Sequence, residues 1–206
     1  MIIENSAVGA RGGEATPEKQ IQQLLEQAME HSEMVALIRG GVPRAGGVWA
    51  DLGAGTGNFT WALAELIGPQ GTIYALDRDG RAIAAQRARL AASPPGATVI
   101  PRQADVAGPL ALPPLDGLLM ANLLHFIGDQ EGLLRRLAGQ IRPGGRLLVV
   151  EYEQVLPIAW VPFPAPFARL AARVGAAGFG PLAQVGTRRS PSSGRVLYAA
   201  AAEPAL

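Results

Sequence analysis

Short apolar runs alternate with amphipathic stretches along the middle of this chain. The apolar runs follow glycine- or proline-containing turns and predict five buried strands: VWADLG (48–53), TIYALD (72–77), TVIPRQAD (98–105), PLDGLLMAN (114–122) and RLLVVEY (146–152). Pro101 weakens the third of them and favours either the end of that strand or a sheet edge. Between the strands, NFTWALAELI, DGRAIAAQRARLAA and DQEGLLRRLAGQI space their apolar residues along one helical face. This alternation predicts an α/β protein whose mostly parallel sheet carries helices on both faces.

The two ends of the chain depart from this pattern. Residues 1–16 are rich in glycine, alanine and serine and predict a flexible leader, after which a helix runs from an N-cap at Thr16 to Ile38. Residues 153–167 carry four prolines among apolar residues and predict an irregular insert. A helix (ARLAARVGAAG) and two strands (LAQVGTR and RVLYAAAA) follow. The two strands predict a hairpin that adds an antiparallel edge strand, giving seven strands in a single domain over residues 17–206.

The composition indicates a globular protein and excludes some functions, but it does not indicate a particular reaction. The chain has 206 residues, of which 49% are hydrophobic and 17% charged, as in a globular protein with a substantial core. A formal net charge of +1 disfavours nucleic acid as a partner. The absence of cysteine excludes disulfides and thiolate chemistry. The N-terminus lacks the apolar core of a signal peptide, and no run reaches about 18 apolar residues, so we expect a cytoplasmic protein without a membrane span.

A glycine-rich turn after the first strand predicts a ligand site. Gly53, Gly55 and Gly57 alternate within WADLGAGTGNF, where glycine lets a ligand approach the backbone closely. The dinucleotide fingerprint G-x-G-x-x-G would place its third glycine one position later, at Asn58. A P-loop would require Gly-Lys-Ser/Thr after these glycines, and that sequence is absent here. The second strand ends at Asp77, whose carboxylate suits the two hydroxyls of a ribose.

These stretches resemble the motifs of class I S-adenosylmethionine (SAM)-dependent methyltransferases. The resemblance is carried, in order, by WADLGAGTGNFT, YALDRD, RQADV (102–106), LDGLLMANLLHF (115–126) and IRPGGRLLVVEY (141–152). It implies a Rossmann-like, doubly wound fold and SAM as the cofactor, with S-adenosylhomocysteine (SAH) as the product. SAM carries no phosphate, which agrees with a turn that differs from the dinucleotide fingerprint.

The resemblance also implies a set of cofactor-binding residues. Asp51 would hold the methionine amino group through the turn formed by Gly53, Ala54, Gly55, Thr56, Gly57 and Asn58. Asp77 would bind the ribose, with Arg78 beside the adenine. Asp105 would accept a hydrogen bond from the adenine amine, the Val106 N–H would reach a ring nitrogen, and Asn122 would border the site. Three alternatives stay open: a turn-stabilising role for Asp51, a solvent-facing Arg78 and a strand-end cap at Asp105.

His125 is the candidate general base, because it follows the fourth strand near the expected position of the methyl group. A base is needed only for an acceptor that must lose a proton. A packing or helix-capping histidine is the alternative interpretation. We expect no metal site.

The acceptor is less well defined by the sequence. ANLLHF stands where the methyltransferases of amide and exocyclic nitrogens carry Asn/Asp-Pro-Pro-aromatic, so the chain looks like a small-molecule methyltransferase of the ubiquinone and menaquinone type. The insert 153–167, with Trp160, Phe163 and Phe167, would cap an apolar or aromatic acceptor; a packing loop or a homodimer contact is the alternative. A SAM-binding regulatory or scaffold protein, an RNA methyltransferase and, less favoured, an NAD-type oxidoreductase remain as other functions.

Overall fold

A single seven-stranded sheet forms the centre of the computed structural model, which describes residues 31–189 and 194–205. The leader predicted at 1–16 and the start of the first predicted helix lie outside the described residues. The strands are β1 (Gly47–Leu52), β2 (Gly71–Asp77), β3 (Thr98–Gln103), β4 (Leu115–Ala121), β5 (Ile141–Tyr152), β6 (Ala183–Arg189) and β7 (Val196–Ala202).

Helices occupy the intervals that the apolar spacing predicts. Residues 31–38 are helical (α1) and continue into a 3-10 turn at Arg39–Gly41. The other helices are α2 (Asn58–Ile67), α3 (Gly80–Ala92), α4 (Gln130–Ala138) and α5 (Phe167–Ala176), with a second 3-10 turn at Leu124–Phe126. The insert before α5 is irregular, as predicted, and contains one isolated bridge between Ile158 and Val161.

The beginning of β5 differs from the prediction. The sequence predicts a helix up to Ile141 and a turn at 142–145, whereas α4 ends at Ala138 and β5 begins at Ile141. Ile141 pairs with Leu115 of β4, and the register then shifts before Gly117 pairs with Arg146. The RPGG segment (142–145) therefore forms an irregular part of β5 and not a separate turn. The strand extends back to Ile141 because this residue pairs with Leu115 and is buried in the core.

The strand order β3-β2-β1-β4-β5-β7-β6 confirms the doubly wound, mostly parallel sheet. Only β7 runs antiparallel; it lies between β5 and the edge strand β6 and pairs antiparallel with both. β3 is the opposite edge strand, which is one of the two positions that Pro101 favours. The order reverses between β1 and β4, and ligands of open α/β sheets bind at the carboxyl ends of the strands at such a reversal.

Apolar residues fill both faces of the sheet. One core packs α4 and α5 against the sheet through Leu134, Leu137 and Leu170, and the other packs α1 and α2 through Ile38, Leu63 and Ile67. All six side chains are 0–1% exposed. Helices therefore cover both faces, and the polar residues at the strand ends are held in fixed positions around the crevice.

Candidate active site

The glycine turn after β1 adopts a backbone that favours glycine at each of its three glycine positions. Gly53, Gly55 and Gly57 have φ values of 69°, 54° and 92°. A Cβ at Gly53 would lie 2.7 Å from Leu123 Cδ1, and one at Gly57 would lie 2.8 Å from the Trp61 ring. At Gly55 nothing lies within 4 Å of that position. The turn is thus packed at both ends and open in its middle.

Asp51 lies next to the end of β1 and is almost fully buried, at 1% exposure. Its Oδ2 accepts a hydrogen bond of 2.6 Å from Thr60 Oγ1, whereas Oδ1 has no partner among the described residues. Burial raises the pKa of Asp51 to about 7; the Thr60 hydroxyl opposes this shift and the charge of Asp77 adds to it. Asp51 thus presents an unpaired oxygen that suits a cationic donor.

Asp77 ends β2 and holds the glycine turn in place. Its Oδ2 accepts a hydrogen bond of 2.7 Å from the Gly55 N–H, and its Oδ1 accepts one of 2.8 Å from the Asp79 N–H. A carboxylate offers about four lone-pair sites, so both oxygens can accept further donors. Asp77 therefore combines a structural contact to the turn with capacity for a ligand.

Two side chains that support the turn were not found from the sequence. The buried Gln86 of α3 donates a hydrogen bond of 2.7 Å from Nε2 to the Gly55 carbonyl. Thr60 of α2 is the partner of Asp51. Thr60 is the last residue of the quoted stretch WADLGAGTGNFT but was assigned no role there, and Gln86 occupies an ordinary position on an amphipathic helix outside the quoted stretches.

The loop after β3 forms one wall of a cavity of about 220 Å³, which is also lined by Gly53 of the glycine turn. This cavity is lined by Gly53, Asp77, Arg78, Ala104, Asp105, Val106, Asn122, Leu123, Phe126 and Ile127. Asp105 Oδ1 accepts a hydrogen bond of 2.9 Å from the Ala107 N–H, so the strand-end cap foreseen as an alternative is present. Arg136 of α4 donates to the carbonyls of Val106, Ala107 and Gly108 and fixes the loop.

Asn122 follows β4 and lies where the small cavity meets a larger one. Among the described residues other than glycine, it alone has a positive φ, 54°. Its N–H donates to the Val150 carbonyl at 2.9 Å, and its Oδ1 is buried without a partner in the described structure. Asn122 and Gly53 line both cavities, so an elongated ligand lying across them would occupy both.

The larger cavity, of about 480 Å³, has two differently built ends. The turn end is lined by Asp51, Gly53, Ala54, Gly55, Thr56, Asn58, Phe59, Ala121 and Asn122. The α1 end is lined by Met34, Leu37, Tyr152, Arg188 and Leu197. Backbone and small polar groups dominate the turn end, whereas apolar side chains and one arginine dominate the α1 end.

His125 lies in the 3-10 turn after β4 and is 2% exposed. Its Nδ1 is 2.6 Å from Oε2 of the equally buried Glu151, and its backbone N–H donates to Glu151 Oε1 at 3.2 Å. His125 is not among the residues that line either cavity. These contacts fit the packing role foreseen as the alternative, and the role of general base stays a prediction.

The insert packs beside the α1 end. Trp160 is 41% exposed, and its ring meets that of Tyr152 edge-on at 5.2 Å between centroids. Phe163 is 47% exposed, and its N–H donates to the His125 carbonyl at 3.0 Å. Phe167 packs against Tyr198 at 5.7 Å between ring centroids. The insert therefore contacts a wall of the cavity through Trp160, and its role as a cap stays a prediction.

Residues 31–189 and 194–205, the part of the chain that the structure describes, contain neither a cluster of metal-ligand side chains nor a membrane-spanning helix. Within these ranges no three histidine or acidic side chains come together as a metal site would require. No helix in the same ranges has the length and apolar character needed to cross a bilayer.

Residues 50–147 match the family model described as a methyltransferase domain. This part of the chain is thus similar to a methyltransferase domain. SAM is the cofactor of the class I methyltransferases whose motifs this chain resembles. The matched residues line the smaller cavity and the turn end of the larger one.

Two curated relatives and one solved structure illustrate the similarity. A probable cobalt-precorrin-6B C(15)-methyltransferase (decarboxylating) of Thermoplasma volcanium is 32% identical over 58% of this chain and 58% of its own length. A ubiquinone/menaquinone biosynthesis C-methyltransferase of Hahella chejuensis is 31% identical over 54% of this chain and 45% of its own length. The chain thus spans about half the length of these relatives. A SAM-dependent methyltransferase structure from Aquifex aeolicus superposes with a TM-score of 0.67 at 17% identity, covering 91% of this chain and 98% of that chain, and shows the shared fold.

Proposed function

We propose that this protein transfers a methyl group from SAM to a small-molecule acceptor. The observation that carries the proposal is the pair of carboxylates Asp51 and Asp77, which flank an open glycine turn at the reversal of the strand order. Cavities of about 480 and 220 Å³ adjoin this turn, and the volume of the larger one lies in the range of small-ligand sites, about 300–1,000 Å³.

The turn end of the larger cavity fits the methionine part of SAM. The unpartnered Oδ1 of Asp51 would accept a hydrogen bond from the ammonium group, directly or through a water. The open side of Gly55 leaves room for the ligand against the backbone, and Thr56 and Asn58 line the same surface. A buried carboxyl oxygen without a partner is costly in the free protein, which a cationic ligand would offset.

The smaller cavity fits the adenosine part. Asp77 would accept hydrogen bonds from the ribose hydroxyls with the lone pairs that Gly55 and Asp79 leave free. Asp105 would accept from the adenine amine, the Val106 N–H would donate to a ring nitrogen, and Arg78 would lie beside the base. Asn122 would contact the ligand where the two cavities meet.

When bound, SAM supplies an already activated methyl group. The task of the chain is then to hold the acceptor in line with that group and to exclude water. For an acceptor that must lose a proton, we propose His125 as the base, oriented by Glu151. The insert 153–167 would cover the acceptor from the side of Tyr152.

The α1 end supports an apolar or aromatic acceptor, since Met34, Leu37, Tyr152 and Leu197 line it. Both curated relatives are named as methyltransferases acting at carbon, which makes carbon the first accepting atom to test. A cytoplasmic location, a homodimer and the absence of a nucleic-acid partner stay predictions.

Calorimetry with SAM and SAH, followed by transfer from methyl-labelled SAM to a panel of small aromatic compounds and RNA, tests the proposal. We expect micromolar-range SAH binding and label on a small molecule. Failure to bind either ligand would refute the proposal. Binding without transfer to any compound would favour a SAM-binding regulatory or scaffold protein, and label on RNA would replace the acceptor class.

A further inference from the structure

The α1 end of the larger cavity contains one cationic side chain that the proposed function leaves unexplained. Arg188 of β6 lines this end, although its side chain is only 16% exposed. In β-strand registry it is opposite Leu197 of β7, which in turn is opposite Tyr152 of β5. The three residues therefore lie side by side across neighbouring strands and form one wall of the cavity.

Strand order places Arg188 far from the glycine turn. Neighbouring strands are about 4.8 Å apart, so Arg188 lies about 10 Å across the sheet from Tyr152. β4 and β5 separate the β7–β6 pair from β1, which carries the turn. The cation is thus at the opposite end of the cavity from the position of the reactive methyl group.

α1 packs closely against β6, the strand that carries Arg188. Gly186 is on the same face of β6 as Arg188, and a Cβ there would lie 2.2 Å from the Leu37 carbonyl oxygen. Leu37 and Met34 of α1 line the cavity opposite the strand wall. Arg188 is therefore held between a helix and a sheet, which limits the rotamers that its side chain can adopt.

The charge of Arg188 is only partly compensated within the protein. Its Nη2 lies 2.5 Å from Oε2 of Glu33, whose side chain is 52% exposed. No other partner of the guanidinium is present in the described structure, although the group has five N–H donors. An ion pair with so exposed a carboxylate contributes little, because water can solvate Glu33 when the pair opens.

We propose that the methyl acceptor carries a carboxylate that binds Arg188. Its apolar or aromatic body lies between Tyr152 and Leu197 on one side and Met34 and Leu37 on the other. This orientation directs the opposite end of the acceptor towards the glycine turn. The inference rests on the proposed methyltransferase function and adds the chemical class of its substrate.

SAM also carries a carboxylate, so the test has to distinguish a carboxylate of the acceptor from the carboxylate of SAM. The methionine part of SAM belongs to the turn end, where Asp51 lies. If Arg188 serves the acceptor alone, its removal leaves the affinity for SAH unchanged. If it serves the cofactor, that affinity falls.

The experiment uses the full chain saturated with SAH and titrated with benzoate, 4-hydroxybenzoate and 2-naphthoate, each beside its amide. We expect at least one acid to bind about tenfold or more tightly than its amide, as charge-assisted hydrogen bonds predict. Arg188→Gln should abolish this preference. Glu33→Gln should increase the affinity for the acid, because it removes the competing carboxylate.

Arg189→Gln is the matched control, since Arg189 is the next residue of β6 and is exposed. We expect no change in this variant. Glu33→Gln keeps the test informative should Arg188→Gln unfold, because a purely structural ion pair would be weakened equally by either variant. Equal affinity for every acid and its amide, or a loss of SAH affinity in Arg188→Gln, would overturn the inference. Absence of SAH binding to the unmodified chain would instead overturn the proposed function.

Discussion

The turn end and the α1 end of the same cavity are built in opposite ways. The turn end comes mainly from one short stretch, 51–59, with Ala121 and Asn122 beside it, and it is held by the carboxylate of Asp77 at the end of the neighbouring strand β2. The α1 end comes from five side chains, the first at Met34 and the last at Leu197. Most of them are far apart in sequence and come together only in the folded protein. The end proposed for the cofactor can therefore be recognised from a local pattern, whereas the end proposed for the acceptor depends on contacts between distant segments.

The largest expected effect concerns the buried pair His125 and Glu151, which lines neither end of the cavity. His125→Ala leaves the Glu151 carboxyl buried with only the His125 backbone N–H, and we expect a loss of about 3–5 kcal/mol in the free energy of unfolding. Chemical denaturation measures it. Phe126→Ala, at a side chain that is 53% exposed, is the control and should lose less.

The same variant also tests catalysis, provided that it is assayed below its unfolding temperature. If His125→Ala keeps its turnover on an identified acceptor, His125 is not a base. Glu151→Gln should then leave the pH profile of the reaction unchanged as well.

Asp77 tests the turn end directly. We expect Asp77→Ala to weaken SAM binding by about 1–3 kcal/mol, because hydrogen bonds to a charged group are lost. Asp116→Asn is a suitable control, because this aspartate accepts hydrogen bonds from Arg142 and the Val48 N–H at the amino end of the central strand β4, the end opposite to the turn. Calorimetry showing unchanged affinity for Asp77→Ala would remove Asp77 from the site.

The pKa of Asp51 predicts a pH dependence of cofactor binding. Because the pKa is about 7 in the free protein, Asp51 is largely protonated below pH 7 and must lose its proton to bind an ammonium group. The affinity for SAM should fall by up to about tenfold per pH unit below 7. Calorimetry at pH 6 in buffers of different ionisation enthalpy should detect proton release on binding, and its absence in Asp51→Asn assigns the proton.

The same shift affects folding with a defined sign. The pKa of Asp51 is raised in the folded protein from the usual 3.8 to about 7. Its contribution to stability is therefore fully present below pH 4 and is lost as the pH rises to 7. Asp51→Asn should flatten that part of the stability profile, and an unchanged profile would contradict the assignment.

The smallest expected effect tests the α1 end. Trp160→Ala removes the edge-on contact with Tyr152, and we expect a loss of only about 0.5–1.5 kcal/mol in stability. If the insert caps the acceptor, the KM for the acceptor should rise while the affinity for SAM stays the same. A variant with both constants unchanged would leave the insert as a packing loop.

The fold could be predicted because its determinants are local. Alternating apolar runs and glycine turns predict all seven strands, and the edge position of β3 is one of the two that Pro101 favours. The main difference, at the start of β5, arises because Ile141 pairs with Leu115 of a distant segment. Local spacing carries no information about such a pairing.

The site was predictable only where a motif carries it. Asp51 and Asp77 belong to recognisable stretches, and their positions beside the turn agree with the prediction. Thr60 and Gln86 support the same turn from helices whose sequences show nothing unusual. Arg188 reaches the cavity only because β6 and β7 pair as they do, and no feature of TRR in the sequence indicates this.

The direction of β7 has a practical consequence for protein engineering. β7 runs antiparallel to its neighbours and therefore begins at the side of the sheet where the parallel strands end. The connection from Arg189 to Val196 thus starts and finishes beside the α1 end. Residues inserted there would alter the acceptor wall without passing through the glycine turn. A library of loop lengths at this connection could therefore change which compound is methylated while the cofactor is kept.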